Sequence, residues 1–325
     1  MSKKSKRKTS LKSAILLLLL MAILLVTSSY AWFTANQTVT ISSLQVNVKA
    51  SNGLQISTDG KTWKSIITQE DIKAGYAGNT NNIPTEMAPV STIGTVTDGK
   101  LDMYYGSVTT NPAGDFILTA EKDVDKDADK KGHYIVFDVF LKVDAATDVY
   151  MTEESKVEYA GANTQGLENA ARVGFIIEGN TAATSGIDTI TGLSLATGTA
   201  KIWEPNYDTH SDLAITNAKT NYDLTITSPN PDALTYYGVK APIAAGDNIA
   251  IKQVGTPSVD HFSAVTPAIK TINGSKSRPK FDTLAAGITK VRIYMWVEGQ
   301  DVDCENGASG TDIKYTVQFS TKQTV

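Results

Sequence analysis

Residues 133–143 read HYIVFDVFLKV, and Ile135, Phe137, Val139, Leu141 and Val143 occupy every second position. A period of two places all five on one face of a strand and cannot form a helical stripe. No long run of helical periodicity occurs after residue 33. Short β-rich runs alternate instead with clusters of Gly, Asn, Asp, Thr and Pro, the punctuation of an all-β chain. The only cysteine, Cys304, permits no intrachain disulfide, so such a fold must rest on its apolar core.

Other stretches carry the same signal more weakly. Residues 38–50 alternate only in part, with Val39, Ile41, Leu44, Val46 and Val48 as their apolar set. Residues 54–57 and 62–67 flank Thr58-Asp59-Gly60-Lys61, a hairpin turn signal. Strands are expected at 148–152, 172–178, 234–239, 290–297 and 314–320, with short helical pieces at 166–171 and 210–217. Residues 68–131 hold few strong strand signals, and 179–285 carry seven prolines, so both read as insertions within one domain. The expected architecture is all-β: a single antiparallel, jelly-roll-like β-sandwich over residues 32–325 with long decorated loops.

The N-terminus is built differently. Residues 1–13 carry six basic side chains and no acidic one, and residues 14–26, AILLLLLMAILLV, are uninterruptedly apolar. A basic flank, an apolar run and then small residues form the pattern of a secretory signal peptide. Thirteen residues span about 20 Å as a helix, against about 30 Å of hydrocarbon. In SSYAWF, Ser29 and Ala31 supply the small side chains that a signal peptidase takes before the bond, and Trp32 would begin the mature chain. The competing reading keeps residues 14–33 as a membrane anchor, with Tyr30 and Trp32 at the outer interface. Without residues 1–13 the chain has 24 basic against 34 acidic residues, a net of about −10. That balance disfavours nucleic acid as a partner.

The SYAWF junction followed by a polar strand resembles the TasA/camelysin class of exported proteins of Gram-positive type bacteria. That class depends on a dedicated, endoplasmic-reticulum-type signal peptidase and includes biofilm-matrix fibre subunits. The resemblance covers about the first 50 residues. Residues 167–179 (LENAARVGFIIEG), 201–206 (KIWEPN) and 291–310 are similar to stretches in uncharacterised Firmicutes surface proteins, which brings no activity with it. The tail STKQTV lacks an LPxTG-type sorting signal, so covalent wall attachment is not expected. The resemblance implies an extracellular structural protein that self-associates or joins related surface subunits, and the lack of enzyme motifs in the residues makes a non-enzymatic role the expectation. A free strand beginning at Trp32 could complete the sheet of a neighbouring copy. A membrane-anchored domain binding a glycan or host protein is the alternative.

Camelysin-type proteins have been described as metalloproteases, and a zinc protease of the common kind needs two His one turn apart with a Glu between. His133, His210 and His261 have no second His nearby and read as solvated loop residues. Two oxygen-rich stretches stand as calcium candidates: Asp123, Asp125, Asp127 and Asp129, and then Glu298, Asp301, Asp303 and Glu305. The first lacks the glycine and glutamate of an EF-hand loop and is interleaved with lysines, which favours a solvated hairpin. In the second, the acids either gather Ca²⁺ or cap turns around a small, buried Cys304. Trp63, Trp203 and Trp296 are read as core rather than as a sugar-stacking platform. No serine-nucleophile elbow, phosphate loop or nucleotide fingerprint is present.

Overall fold

The computed structural model describes residues 39–49, 53–84, 86–123, 132–160, 166–222, 225–229, 236–250, 258–272, 275, 278–304 and 312–322. Ser29, Ala31 and Trp32 at the expected cut, the 14–33 anchor candidate, Asp125, Asp127, Asp129 and Glu305 all lie outside those residues. Among the described residues no helix is long and apolar enough to cross a membrane.

The chain is built mostly of strands. The first described strands are β1 (Val39–Lys49), β2 (Gln55–Ser57), β3 (Ile66–Ile67) and β4 (Glu86–Met87). The short strands β5 (Val90–Ser91), β6 (Thr95–Thr97) and β7 (Lys100–Leu101) lead into a long hairpin, β8 (Met103–Thr110) and β9 (Phe116–Asp123). Next come β10 (Ile135–Val143), β11 (Thr147–Met151), β12 (Lys156–Tyr159) and β13 (Ala171–Thr181). Then follow β14 (Thr197–Thr199), β15 (Lys201–Glu204), β16 (Tyr236–Val239), β17 (Phe262–Val265) and β18 (Ile269–Lys270). The chain closes with β19 (Lys280–Leu284), β20 (Gly287–Val297) and β21 (Asp312–Ser320). Among the described residues the helices are short: α1 (Gln69–Ala74), α2 (Ile187–Thr191) and α3 (Asp212–Tyr222), with a 3₁₀ turn at Leu167–Ala170. The last two fall where the sequence predicts helical pieces.

Two sheets face one apolar core. The first runs β19-β11-β21-β1-β3, with β12 also on β21 and β4 also on β1; the second runs β18-β15-β13-β20-β10-β2. Both contribute to one buried cluster, which contains all five residues of the β10 alternation. Val291, Ile293, Met295 and Val297 of β20 face the same way, as do Ile313, Tyr315, Val317 and Phe319 of β21. In β1 the apolar phase changes between Ile41 and Leu44 because a bulge shifts the register between Ile41 and Ser43. One extra residue re-phases the strand, so Leu44, Val46 and Val48 still point inward. That bulge explains the partial alternation in the sequence.

Two expectations are corrected. The sheets are not purely antiparallel: β1 pairs parallel with β21, and β15 with β18. Short turns make successive strands antiparallel, but β1 and β21 are far apart in the chain and no turn dictates their direction. Residues 68–131 are not poor in strands either. β8 and β9 pair over their full length from Met103↔Asp123 to Thr110↔Phe116. Pro112 and Gly114 mark only the hairpin tip, where Asn111 Oδ1 accepts from the Ala113 and Asp115 amides and Gly114 takes φ +90°.

That hairpin and its neighbours cover the outer face of the second sheet. Val136, Ile176, Tyr294 and Trp296 on this face pack with Val90, Val96, Leu101 and Met103 in a second cluster. The central strand β20 is therefore buried along its whole length. A Cβ on Gly174 would lie 3.2 Å from the Trp296 ring, so the indole fits against bare backbone. A strand covered on both faces cannot leave charge in water. Yet the outer face carries Asp138, Arg172, Glu178, Lys290 and Arg292, all buried. Each must be paired inside the protein.

Candidate functional site

The end of β20 turns into residues 298–304, and this turn holds three of the seven buried acids among the described residues. Glu298, Asp301 and Asp303 are 0%, 6% and 1% exposed. Strand β13 brings Arg172, β15 brings Glu204, and the segment before α3 brings His210. Arg172 Nη2 lies 2.7 Å from Glu204 Oε1 and also contacts Asp301 Oδ2. Its Nη1 donates to the Asn169 and Ala171 carbonyls, and its guanidinium lies over the Tyr236 ring at 5.2 Å. His210 Nδ1 sits 2.8 Å from Asp303 Oδ2, while Asp303 Oδ1 accepts from the Ser211 amide at 2.8 Å. Glu298 accepts from the Trp296 indole and from the Gln300 amide.

One guanidinium thus faces three buried carboxylates, Glu204, Asp301 and Glu298, while His210 faces the fourth, Asp303. Burial pushes both Glu204 and Glu298 up to about 7, against the pull of Arg172 on each. Burial likewise raises Asp303, against its bond to His210. For His210, burial works downward, but Asp303, Asp301 and Glu204 outweigh it and the imidazole lies above its usual range. Arg172 is held protonated: Glu204 and Asp301 outweigh the burial that would discharge it. Protons therefore supply the positive charge that the side chains lack. Glu204 Oε2 and His210 Nε2 are buried without a hydrogen-bond partner.

The turn-capping reading of Glu298, Asp301 and Asp303 describes this geometry. Asp301 Oδ1 accepts from the Asp303 amide at 2.8 Å, and Cys304 is fully buried. The carboxylates are turned to separate protein donors rather than towards a common point. Among the described residues no three His, Cys, Asp or Glu side chains are placed to hold a metal ion. Asp123, the one described member of the other acidic run, ends β9 and pairs with His133 Nδ1 at 2.8 Å. The His133 ring stacks on Tyr105 at 4.0 Å.

His210 departs from its expected place as a solvated loop residue: its side chain is only 6% exposed. Acids from another element supply the partner that allows its burial. Trp203 and Trp296 are fully buried, as core residues, and Trp63 is half-buried beneath Lys142 Nζ, 4.7 Å from its ring. Arg172 and Glu204 were missed. The signal existed, because AARVGFIIEG and KIWEP place charges inside otherwise apolar strands, which burial on both faces would require to be paired.

Asn169 links this cluster to a cleft of about 420 Å³, since its Nδ2 donates to Asp303 Oδ1. Glu153, Glu158, Tyr159, Asn206 and Asp208 are among the residues lining it. Asn206 spans it by donating to the Val157 and Glu168 carbonyls. Comparison with protein-family models, with curated proteins and with solved structures found no match.

Proposed function

We propose that this chain is an exported, non-enzymatic structural subunit of a surface or biofilm-matrix fibre. In this reading its jelly-roll-like β-sandwich assembles by exchange of the N-terminal strand. The position of β1 carries the proposal. It is the first described strand, yet it lies inside a sheet, parallel to β21 from Thr40↔Asp312 to Lys49↔Ser320. Its buried Val39, Leu44, Val46 and Val48 complete the core. Only residues 50–54 separate it from β2. Withdrawing β1 would leave the β21 edge unpaired and an apolar slot that an identical strand from a neighbour fills with identical contacts. Head-to-tail exchange need not close on itself, so it generates a filament.

The register supplies the test. Gln45 is opposite Thr316, and neighbouring strands lie about 4.8 Å apart, close enough for a disulfide. Gln45→Cys and Thr316→Cys are made in separate chains, each also carrying Cys304→Ala, then mixed under assembly conditions and oxidised. Strand exchange predicts disulfide-linked dimers joining the two variants. Mixed samples that stay monomeric, while a chain carrying both substitutions closes internally, would count decisively against it.

The cleft favours a second reading, a surface domain binding a glycan through Tyr159 and the surrounding carboxylates and amides. Glycan-array binding by the monomer that Tyr159→Ala abolishes would support that role; no binding by the parent chain would remove it.

A further inference from the structure

On the outer face of the second sheet a second group of charges is enclosed. Lys290 Nζ lies 2.9 Å from Glu178 Oε2 and 3.4 Å from Asp138 Oδ2. The lysine side chain is 4% exposed and both acids 0%. The three residues come from β20, β13 and β10, which are adjacent in the sheet. A bulge controls the contact: Ile177 pairs with Val291 but Gly179 pairs with Lys290, so Glu178 is the extra residue opposite the lysine. Gly179 adopts φ +142° there. Bulges of this kind re-aim a side chain.

The surroundings hold the pair still. Lys290 Nζ donates to the Thr191 and Leu193 carbonyls at 3.0 and 2.9 Å. Arg292 grips Asp138 through Nε and Nη2 at 2.8 and 3.1 Å, and Tyr76 donates its hydroxyl to the same acid at 2.6 Å. Arg292 Nη1 lies 3.2 Å from Glu178 Oε1. The two carboxylates have unequal environments. Burial raises Glu178, whereas Arg292 and Lys290 overcome burial at Asp138 and hold it ionised.

We propose that Lys290 and Glu178 condense to an intramolecular amide that staples β20 to β13. Asp138 relays two protons in turn from Nζ to Glu178 Oε2. Nζ forms its bond to the Glu178 carboxyl carbon, Arg292 Nη1 steadies the negative charge on Oε1, and the C–Oε2 bond breaks with its electron pair leaving on water. Ammonium and carboxylate become amide and water; nothing is oxidised or reduced, and no other reactant is consumed. In water such a condensation is opposed by the hydration of both ions, and a dry site removes that opposition. The product leaves Arg292 and Asp138 as a balanced ion pair. A chain with one cysteine would thereby gain a covalent cross-link between two core strands.

Peptide mass spectrometry of the full-length chain, unfolded before digestion, tests this directly. The expected result is a branched peptide joining the Lys290 and Glu178 segments, about 18 Da lighter than their sum. It should disappear in Lys290→Met and in Glu178→Ala. Unmodified Lys290 and Glu178 peptides from the parent chain would overturn the proposal, whatever the variants' ability to fold. A branch from Lys290 to Asp138 would overturn the assignment of Glu178 as the acyl partner.

Discussion

Replacing Arg172 with methionine should destabilise the fold by about 3–5 kcal/mol, the usual cost of breaking a buried ion pair by removing one partner. Arg172 is 1% exposed and, among the described residues, is the guanidinium set against Glu204, Asp301 and Glu298. Methionine preserves much of the packing against Tyr236 but leaves Glu204 and Asp301 facing each other in a dry site. The Asn169 and Ala171 carbonyls lose their side-chain donor as well. Denaturant unfolding at neutral pH measures the loss as a lower midpoint. Lys61→Ala on the exposed turn serves as a near-neutral comparison. A loss below about 1 kcal/mol would mean that the carboxylates are neutralised without the arginine. Because acid protonates the same groups, the penalty should shrink as pH falls towards 5.

Stability should itself decline as pH rises from about 5 to 8. Glu204 and Glu298 titrate near 4.5 when unfolded and at about 7 when folded. A raised folded pKa means that the native state binds the proton more tightly. Its contribution is fully present below the unfolded value and is lost as pH climbs through the folded one. Each carboxyl accounts for roughly 3 kcal/mol by linkage, and mutual coupling makes the pair worth less than twice that. His210 acts in the same direction, losing its charged contact with Asp303 as pH passes above its ordinary range. Asp59 opposes this only in strong acid. Its bonds from Thr62, Lys61 and Ser57 overcome burial and depress it to about 2, so its contribution is lost below the normal aspartate range. Thermal unfolding across this range should show a melting temperature roughly 5–15 °C lower at pH 8 than at pH 5. Glu298→Gln keeps an acceptor for the Trp296 indole and should flatten the profile. A parent profile that is level or rises across that range would refute the proton-filled site.

The alternation in 133–143 identified β10 and its inward face residue by residue because one side of that strand meets only apolar neighbours. The 3₁₀ turn at Leu167–Ala170 and helix α3 were also legible locally. The β8–β9 hairpin was not. Its turn residues dominated the reading, while its polar Ser, Thr and Lys positions carry the exposed side of a half-buried strand. The candidate site was legible only in its chain-local part, as an acidic turn around Cys304. Arg172 and His210 join it through strand pairing and the approach to α3, contacts that span more than ninety residues of sequence.

The sequence by itself determined that this is an all-β chain resting on an apolar core, because the period of two and the cysteine count are local facts that need no partner. It also determined which face of β10 turns inward, residue by residue. Only the tertiary structure decided what lies on the other face. The second cluster behind β10, β13 and β20 buries charges that a lone strand would leave in water. Burial makes the matching of Arg172 with Glu204, and of Lys290 with Glu178, an energetic requirement. The parallel register of β1 on β21 was decided there too. Two strands at opposite ends of a chain have no turn to orient them, so their direction follows from the core they close together.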